Sequence, residues 1–196
     1  MKPFFEVNPR SYLVSESLKG ESNEVAHIDM LIGPEDGYIG ETFADTLSRQ
    51  TEGHSNLLAV VKPNELVLPP TVTFAKVTIK KLKQVVHMFG DAQAAVALAV
   101  GDALKAGKFD KLIDDPRKLR IVVGVFVHWQ ADNGKKVLEY NYLATSAAID
   151  NAINLYPSRD DVIKFVETAA KHPFSAFADG DEFPAALAAM RKGAGY

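Results

Sequence analysis

The chain has 196 residues, 47% hydrophobic and 24% charged, with a formal net charge of -3; this is the balance of a globular protein long enough to bury a core in one domain. The small negative charge without a basic stripe argues against nucleic-acid binding, and no apolar run approaches the roughly 20 residues of a membrane span. The absence of cysteine excludes disulfides and thiolate chemistry, and with no signal-peptide pattern in residues 1–10 we expect a cytoplasmic protein.

Apolar patterns in the first eighty residues predict three strands and one helix. In chain order they are a loosely held lead segment (1–22), an alternating strand (24–32), a short helix (41–49), a strand buried on both faces (57–61) and a β-branched strand (71–79). Glycine and proline separate these segments, so each is predicted to end at a turn.

The remainder of the chain is predicted to be mainly helical. The predicted elements are helices over 82–89, 92–105 and 134–155, a buried strand over 120–129, and a last helix to about 171. Gly90 is expected to end the first helix and Asp91 to cap the second, while Ser158 and Asp161 form a capping box for the last. Residues 175–196 are interpreted as a peripheral tail. Without a repeat or linker, the prediction is a single domain.

The strand over 24–32 carries the most informative polar pair. Period-two alternation places Ala26, Ile28, Met30 and Ile32 on a core face, and Val25, His27, Asp29 and Leu31 on the other. An imidazole beside a carboxylate in an apolar surround is either a structural hydrogen-bonded pair or a proton-transfer pair, because histidine exchanges protons near neutral pH. The strand alone favours the structural interpretation.

Other polar candidates are weaker. Lys76 and Thr78 share a strand face with Phe74, where a lysine either reaches towards water or meets an anion or carbonyl. Gln93 is expected in the first turn of the helix capped by Asp91, where it is either exposed or offers a donor and an acceptor to a heterocycle. The histidines have no metal-ligand spacing, and there is no phosphate loop or nucleophile elbow, so we expect no metal.

Seven segments resemble, in order, the formaldehyde-activating enzymes that work with tetrahydromethanopterin. They are N-E-V-A-H-I-D-M-L-I-G-P (23–34), L-L-A-V-V-K-P-N (57–64), F-A-K-V-T-I (74–79), M-F-G-D-A-Q (88–93), V-G-V-F-V-H-W (123–129), Y-N-Y-L-A-T (140–145) and H-P-F (172–174). Any one hexamer is weak evidence, but their ordered recurrence across roughly 14–175 is strong. The chain departs from the family pattern at Asp91, where members usually carry proline, and over 49–56.

The resemblance implies a site and a reaction. The family's proton-donating histidine corresponds to His27, and its pterin-contacting positions correspond to Asp29, Leu58, Lys76, Thr78 and Gln93. The implied reaction is a carbon–nitrogen lyase (hydro-lyase) type: formaldehyde and tetrahydromethanopterin condense to 5,10-methylenetetrahydromethanopterin and water. The pterin is a co-substrate, and no cofactor is bound permanently. The alternative is a noncatalytic paralogue that binds or senses formaldehyde or the methylene-pterin, or that keeps only the fold.

The resemblance also implies an architecture. We expect an α/β protein, an α+β two-layer sandwich whose mixed sheet is packed by helices with a left-handed βαβ crossover. Connections between parallel strands are almost always right-handed, so the left-handed crossover is implied by the resemblance alone. The implied assembly is a homopentamer that holds the pterin between neighbouring subunits. Within one domain spanning 1–196, the core is 14–175, with an N-terminal extension (1–12) and a C-terminal tail (175–196).

Overall fold

A computed structural model describes residues 2–169 and 182–195 of the chain. Its contacts divide the chain into two units, Met1–Tyr156 and Pro157–Tyr196. The expectation of one domain over 1–196 stays a prediction. Among the described residues, no helix is both long and apolar enough to cross a membrane.

The first unit contains seven strands and five α-helices in the described residues. The strands are β1 (Leu13–Lys19), β2 (Ala26–Pro34), β3 (Asn56–Leu58), β4 (Val60–Lys62), β5 (Glu65–Leu66), β6 (Thr71–Ala75) and β7 (Leu119–Phe126). The helices are α1 (Phe4–Val7), α2 (Tyr38–Ser48), α3 (Leu82–Val86), α4 (Gln93–Lys105) and α5 (Gly134–Ile153), and the segment His87–Ala92 between α3 and α4 is a π-helix.

Five strands form one mixed sheet in the order β1-β2-β7-β6-β3. Every neighbouring pair is antiparallel except β6 and β7, which run parallel. A parallel pair needs a crossover connection, and the helical stretch from α3 to α4 supplies it. The α/β class with a mixed sheet packed by helices is therefore confirmed, while the left-handed sense of the crossover stays an expectation.

One face of the sheet carries the main core. The predicted core residues of β2 are fully buried there, together with alternate residues of β7 and the inner faces of α4 and α5. Helix α5 buries its predicted stripe, Val137, Asn141, Ala144 and Ala148. Because β2 alternates with period two, His27 and Asp29 must point away from this core.

The opposite face is covered only in part. Helix α2 places Ile39 and Phe43 against Val72 and Val122, where they form a second, small cluster. Eleven residues of helix extend about 16 Å, so α2 covers one end of this face. The end of the face that carries His27 lies beyond the α2 cluster and stays accessible.

The prediction of a loosely held lead segment over 1–22 is wrong. Residues Leu13–Lys19 form the edge strand β1, paired antiparallel with β2 over seven positions. Ser15 and Ser17 are buried on the core face, where Ser15 Oγ donates to the Ala148 carbonyl at 2.7 Å. Upstream of β1, Phe5 is buried and its N–H donates to the Leu112 carbonyl. Polar residues at core-facing positions hide the period-two signal of this strand.

Three strand predictions need new bounds. The apolar run 57–61 divides between β3 and β4, and it is half-buried because β3 is an edge strand and Val61 faces solvent. Strand β6 ends at Ala75, so Thr78 lies outside it, although the Lys76 N–H still donates to the Val125 carbonyl. The next strand, β7, likewise ends at Phe126, before Trp129.

The predicted helix break at Gly90 is also wrong. Helix α3, the π-helical segment and α4 are continuous, and Gly90 lies inside this run. Asp91 does not cap α4; its Oδ2 is 2.6 Å from Nδ1 of His87, one π-helical turn earlier. Gln93 therefore does not lie in the first turn of a separate helix capped by Asp91, as the sequence analysis expected.

The second unit contains α6 (Arg159–Glu167) and α7 (Glu182–Ala194). The predicted capping box is confirmed, since Ser158 Oγ accepts from the Asp161 N–H and the Asp161 carboxylate accepts from the Ser158 N–H. Helix α6 ends before the predicted residue 171, and α7 lies within the segment interpreted as a tail. The H-P-F motif at 172–174 lies outside the described residues.

Candidate active site

The accessible end of the second sheet face carries His27 and Asp29. In the register of the sheet, His27 lies opposite Phe126 on β7, and Asp29 lies opposite Glu16 on β1 and Gly124 on β7. Three neighbouring strands therefore present their side chains to one patch. Lys76, which follows β6, reaches the same patch from the fourth strand.

Four charged or titratable side chains meet there in a chain of short contacts. His27 Nε2 lies 2.8 Å from Glu16 Oε1, and His27 Nδ1 lies 3.2 Å from Lys76 Nζ. Lys76 Nζ also pairs with Asp29 Oδ2 at 2.5 Å. An ammonium group only donates hydrogen bonds, so the contact with Lys76 requires the tautomer in which Nδ1 accepts and Nε2 carries the proton. We call these residues the His27 cluster: Glu16, His27, Asp29 and Lys76.

The cluster is at the protein surface rather than in the apolar surround expected from the sequence. The His27 and Lys76 side chains are 28% and 18% exposed, whereas the two carboxylates, Glu16 and Asp29, are 58% and 51% exposed. The reason is that α2 packs farther along the same face, against Leu31 and its neighbours. A substrate can therefore approach the imidazole and both carboxylates directly.

Gly124 provides the space through which Lys76 crosses the sheet. A Cβ at this position would lie 2.8 Å from the Phe74 ring and 3.2 Å from Lys76 Cγ. Both distances are shorter than ordinary van der Waals contact. Glycine at 124 thus lets the lysine stem lie across β7 and deliver its ammonium group between His27 and Asp29.

A cavity of about 400 Å³ adjoins the His27 cluster. Lys76 and Phe126 belong to its wall, and Thr78 lies in the same wall although it is outside the strand. The remaining lining residues are His54, Val77, Lys80, Gln84, Val127, His128 and Trp129. This lining contains aromatic and basic groups and no carboxylate, which suits a flat heterocycle bearing acceptor or anionic groups.

Two of the expected site residues lie away from the cluster within one chain. Leu58 is on β3, three strands from His27 on β2, or about 14 Å at the usual strand spacing. Gln93 is buried, and its Nε2 donates to the Val60 carbonyl at 3.1 Å. It begins α4, which packs on the core face of the sheet. The single chain therefore brings together His27, Asp29, Lys76 and Thr78, but neither Leu58 nor Gln93.

Sequence reasoning did not find Glu16. The glutamate lies in the segment interpreted as a loosely held lead, so no predicted strand placed it beside the imidazole. The hydrophobic pattern gave no signal for this strand, because two of its buried positions are Ser15 and Ser17 and an exposed one is Val14. Among the described residues, no three His, Asp or Glu side chains are grouped so that they could hold a metal ion.

Comparison with known proteins agrees with the resemblance found in the sequence. A family model described as "Formaldehyde-activating enzyme (Fae)" matches residues 14–175. The chain belongs to the formaldehyde-activating enzyme family. The match includes β1 from Val14 onwards, so Glu16 as well as the predicted site residues lies within the matched region.

Several curated relatives carry the name "Bifunctional enzyme Fae/Hps". Those from Methanoregula boonei and Methanocella arvoryzae are 42% and 45% identical, over 81% and 77% of this chain. The protein from Archaeoglobus fulgidus is 41% identical over 83% of this chain. The aligned part is 40%, 38% and 41% of these three relatives, so the chain spans about two fifths of their length.

Proposed function

We propose that this chain condenses formaldehyde with tetrahydromethanopterin to give 5,10-methylenetetrahydromethanopterin and water. Family membership supports an enzyme that acts on formaldehyde. The observation that carries the proposal is the His27 cluster, in which a proton-carrying imidazole lies beside two accessible carboxylates and an ammonium group. The reaction needs a proton donor for a leaving hydroxyl and a negative field for a cation, and these four side chains offer both.

The proposed reaction begins with attack of the pterin N5 on formaldehyde, which gives a carbinolamine after the amine proton moves to oxygen. His27 Nε2 then delivers its proton to the hydroxyl, the carbon–oxygen bond breaks, and water leaves. Lys76 Nζ, at 3.2 Å from Nδ1, replaces the lost proton on the other nitrogen, so the ring stays neutral. The positive charge passes from Lys76 to the N5 iminium, which Asp29 and Glu16 stabilise.

Closure of the ring completes the reaction. N10 attacks the iminium carbon and loses its proton, which returns through the imidazole to Lys76. Two N–H bonds and one C=O bond are thereby exchanged for two C–N bonds and one water molecule. No oxidation or reduction occurs, so the pterin acts as co-substrate and the proposal includes no resident cofactor. Holding N5, N10 and formaldehyde together lowers the activation free energy further, since orienting the reactants contributes several kcal/mol to the rate enhancement.

We place the heterocycle in the cavity beside the cluster, where Lys76 and Thr78 supply polar contacts. Leu58 and Gln93 are assigned to the same pterin from a neighbouring subunit of a homopentamer. This assignment is supported by their distance from His27 within one chain. It is also supported by exposed apolar side chains at helical spacing on α3 and the π-helical segment, Leu82, Val86 and Phe89, which a neighbour would bury. We propose a cytoplasmic location, in keeping with a chain that lacks cysteine.

The test is the rate at which methylene-pterin forms from formaldehyde with and without the protein. Tetrahydromethanopterin and tetrahydrofolate are used in parallel, because the condensation also proceeds without a catalyst. We expect acceleration with tetrahydromethanopterin, and light scattering should give about five times 21.4 kDa. Tight pterin binding without any acceleration would favour the noncatalytic binding paralogue, and no binding would favour a protein that keeps only the fold.

A further inference from the structure

Glu16 is held against the imidazole by the pairing of β1 with β2. It lies directly opposite Asp29, two positions from the Leu18–His27 pair and so on the same face of the sheet, the face that carries the site. Its Oε1 is 2.8 Å from His27 Nε2, the nitrogen that carries the proton. Because the strand pair fixes both backbones, this contact follows from the register rather than from a flexible loop.

Asp29 cannot accept the hydrogen bond from His27 Nε2. Its nearest oxygen is 3.7 Å from His27 Nε2, which is too far for a hydrogen bond. Its other oxygen is committed to Lys76 Nζ at 2.5 Å. The two carboxylates therefore have different partners. Glu16 contacts the imidazole at Nε2, and Asp29 contacts the Lys76 ammonium group that lies against Nδ1.

An imidazole held at one nitrogen alone still turns about its bond to Cβ, whereas contacts at both nitrogens fix the plane of the ring. Lys76 makes the contact at Nδ1 and Glu16 makes the contact at Nε2. The side chain of Glu16 is 58% exposed. The hydrogen bond that it accepts from Nε2 therefore lies at the protein surface, where substrate can reach it. A departing hydroxyl can thus replace the carboxylate at Nε2 without a rearrangement of the sheet.

We propose that Glu16 is a positioning residue of the reaction, and this proposal rests on the proposed function. Before substrate binds, its carboxylate accepts the Nε2 hydrogen bond of His27 and fixes the plane of the ring. The carbinolamine oxygen then replaces the carboxylate at Nε2 and meets a ring that already has the right orientation. When the proton leaves, the freed carboxylate faces the iminium. Glu16 acts through His27 during proton delivery and gives no proton of its own.

The test compares Glu16→Ala and Glu16→Gln with the parent at saturating tetrahydromethanopterin. Alanine removes the acceptor, while glutamine keeps an acceptor oxygen without the charge. Glu21→Gln is the matched control, because it changes the charge equally in the exposed turn before β2. General acid catalysis is worth roughly 10²- to 10⁴-fold, so loss of positioning should lower kcat by about ten- to a hundredfold in Glu16→Ala. Glu16→Gln should recover part of the lost kcat. KM for the pterin should stay at the parent's value in both variants, and Glu21→Gln should keep the parent's kcat and KM.

A second readout is the Nε2–H resonance of the His27 ring, assigned by comparison with His27→Gln. We expect a hydrogen-bonded resonance in the parent that is lost in Glu16→Ala and kept in Glu16→Gln. A parent-like kcat in Glu16→Ala, or a rise of KM that accounts for the whole loss, would overturn the proposal. If Glu16→Ala does not fold, Glu16→Gln decides, and a kcat equal to the parent's overturns it.

Failure of the proposed function gives a different pattern. In that case the parent and His27→Ala form methylene-pterin at the same rate, and the kinetics no longer report on Glu16. The Nε2–H resonance then decides alone: its loss in Glu16→Ala supports the hold on the ring, and its persistence overturns it.

Discussion

Substitution of Gly124 tests whether the position of Lys76 matters for the reaction. A methyl group at 124 would lie 2.8 Å from the Phe74 ring and 3.2 Å from the Lys76 stem. The stiff aromatic ring has little freedom to yield, so the longer lysine side chain has to move. Lys76 contacts His27 and Asp29 at 3.2 Å and 2.5 Å, so such a movement would lengthen or break these hydrogen bonds.

Two magnitudes follow for Gly124→Ala. Overpacking of a well-packed site typically costs about 1–3 kcal/mol, and the gain from removing glycine from a strand offsets part of this cost. We therefore expect the free energy of unfolding to fall by about 1 kcal/mol. A misplacement of about 1 Å can cost 10²-fold in rate, so a shift of a few tenths of an ångström should lower kcat by about tenfold.

The assay is methylene-pterin formation at saturating pterin, together with urea unfolding. Gly101→Ala is the matched control, because its added Cβ meets only Val67, at an ordinary 3.8 Å. As an alanine replacing a glycine within α4, it should raise stability by about 0.5–1 kcal/mol and leave kcat unchanged. If Gly124→Ala retains the parent's kcat and KM while unfolding more easily, Lys76 does not take part as described.

Two further predictions concern stability. Gln93→Ala should lower the free energy of unfolding by about 0.5–1.5 kcal/mol, because the half-buried Val60 carbonyl loses its donor. Parent-like urea unfolding would show that this hydrogen bond contributes little. Glu24→Gln should be less stable than the parent near neutral pH, because the N–H groups of Asp132 and then Asn133, at the start of α5, hold the pKa of Glu24 below its ordinary 4.5. A depressed carboxyl pKa adds stability above pH 4.5 that is lost as the pH falls through the folded pKa, so the two melting temperatures should converge in acid, and a gap that persists at pH 2 would contradict this.

Much of the fold could be predicted from local pattern. The alternation in β2 identified its core face correctly, since every alternate residue from Ala26 to Ile32 is buried. The long helix α5 followed from its apolar stripe, and the start of α6 followed from the capping box. In each case the signal lies in side chains a few residues apart, and the contacts are decided within one element.

The errors arose where distant contacts override a local signal. Ser15 and Ser17 occupy core-facing positions, so β1 is recognised only once β2 and α5 are present to bury it. Gly90 ends no helix because the π-helical segment continues into α4, which packs against the sheet. A turn former gives way when tertiary packing stabilises the helix around it.

The candidate site could be predicted only in part for the same reason. His27 and Asp29 are two residues apart on one strand, so their proximity is local. Lys76 joins them through the neighbouring strands of the sheet. The strand pattern singled it out as a polar candidate, and the family resemblance assigned it to the same site as His27. Glu16 required knowledge of the register between β1 and β2. Leu58 and Gln93 stay predictions whose support depends on a neighbouring subunit.

The central claim is that His27 delivers the proton that releases water, and the most direct measurement is the single-turnover rate of His27→Ala at saturating tetrahydromethanopterin. His27 points away from the main core and is 28% exposed, so its truncation should leave the fold and the pterin affinity intact. The account predicts a loss of roughly 10²- to 10⁴-fold in the catalysed rate, and almost the same loss in His27→Gln, since an amide does not deliver a proton. Formation of methylene-pterin by His27→Ala at the parent's rate, with parent-like pterin affinity, would contradict the account.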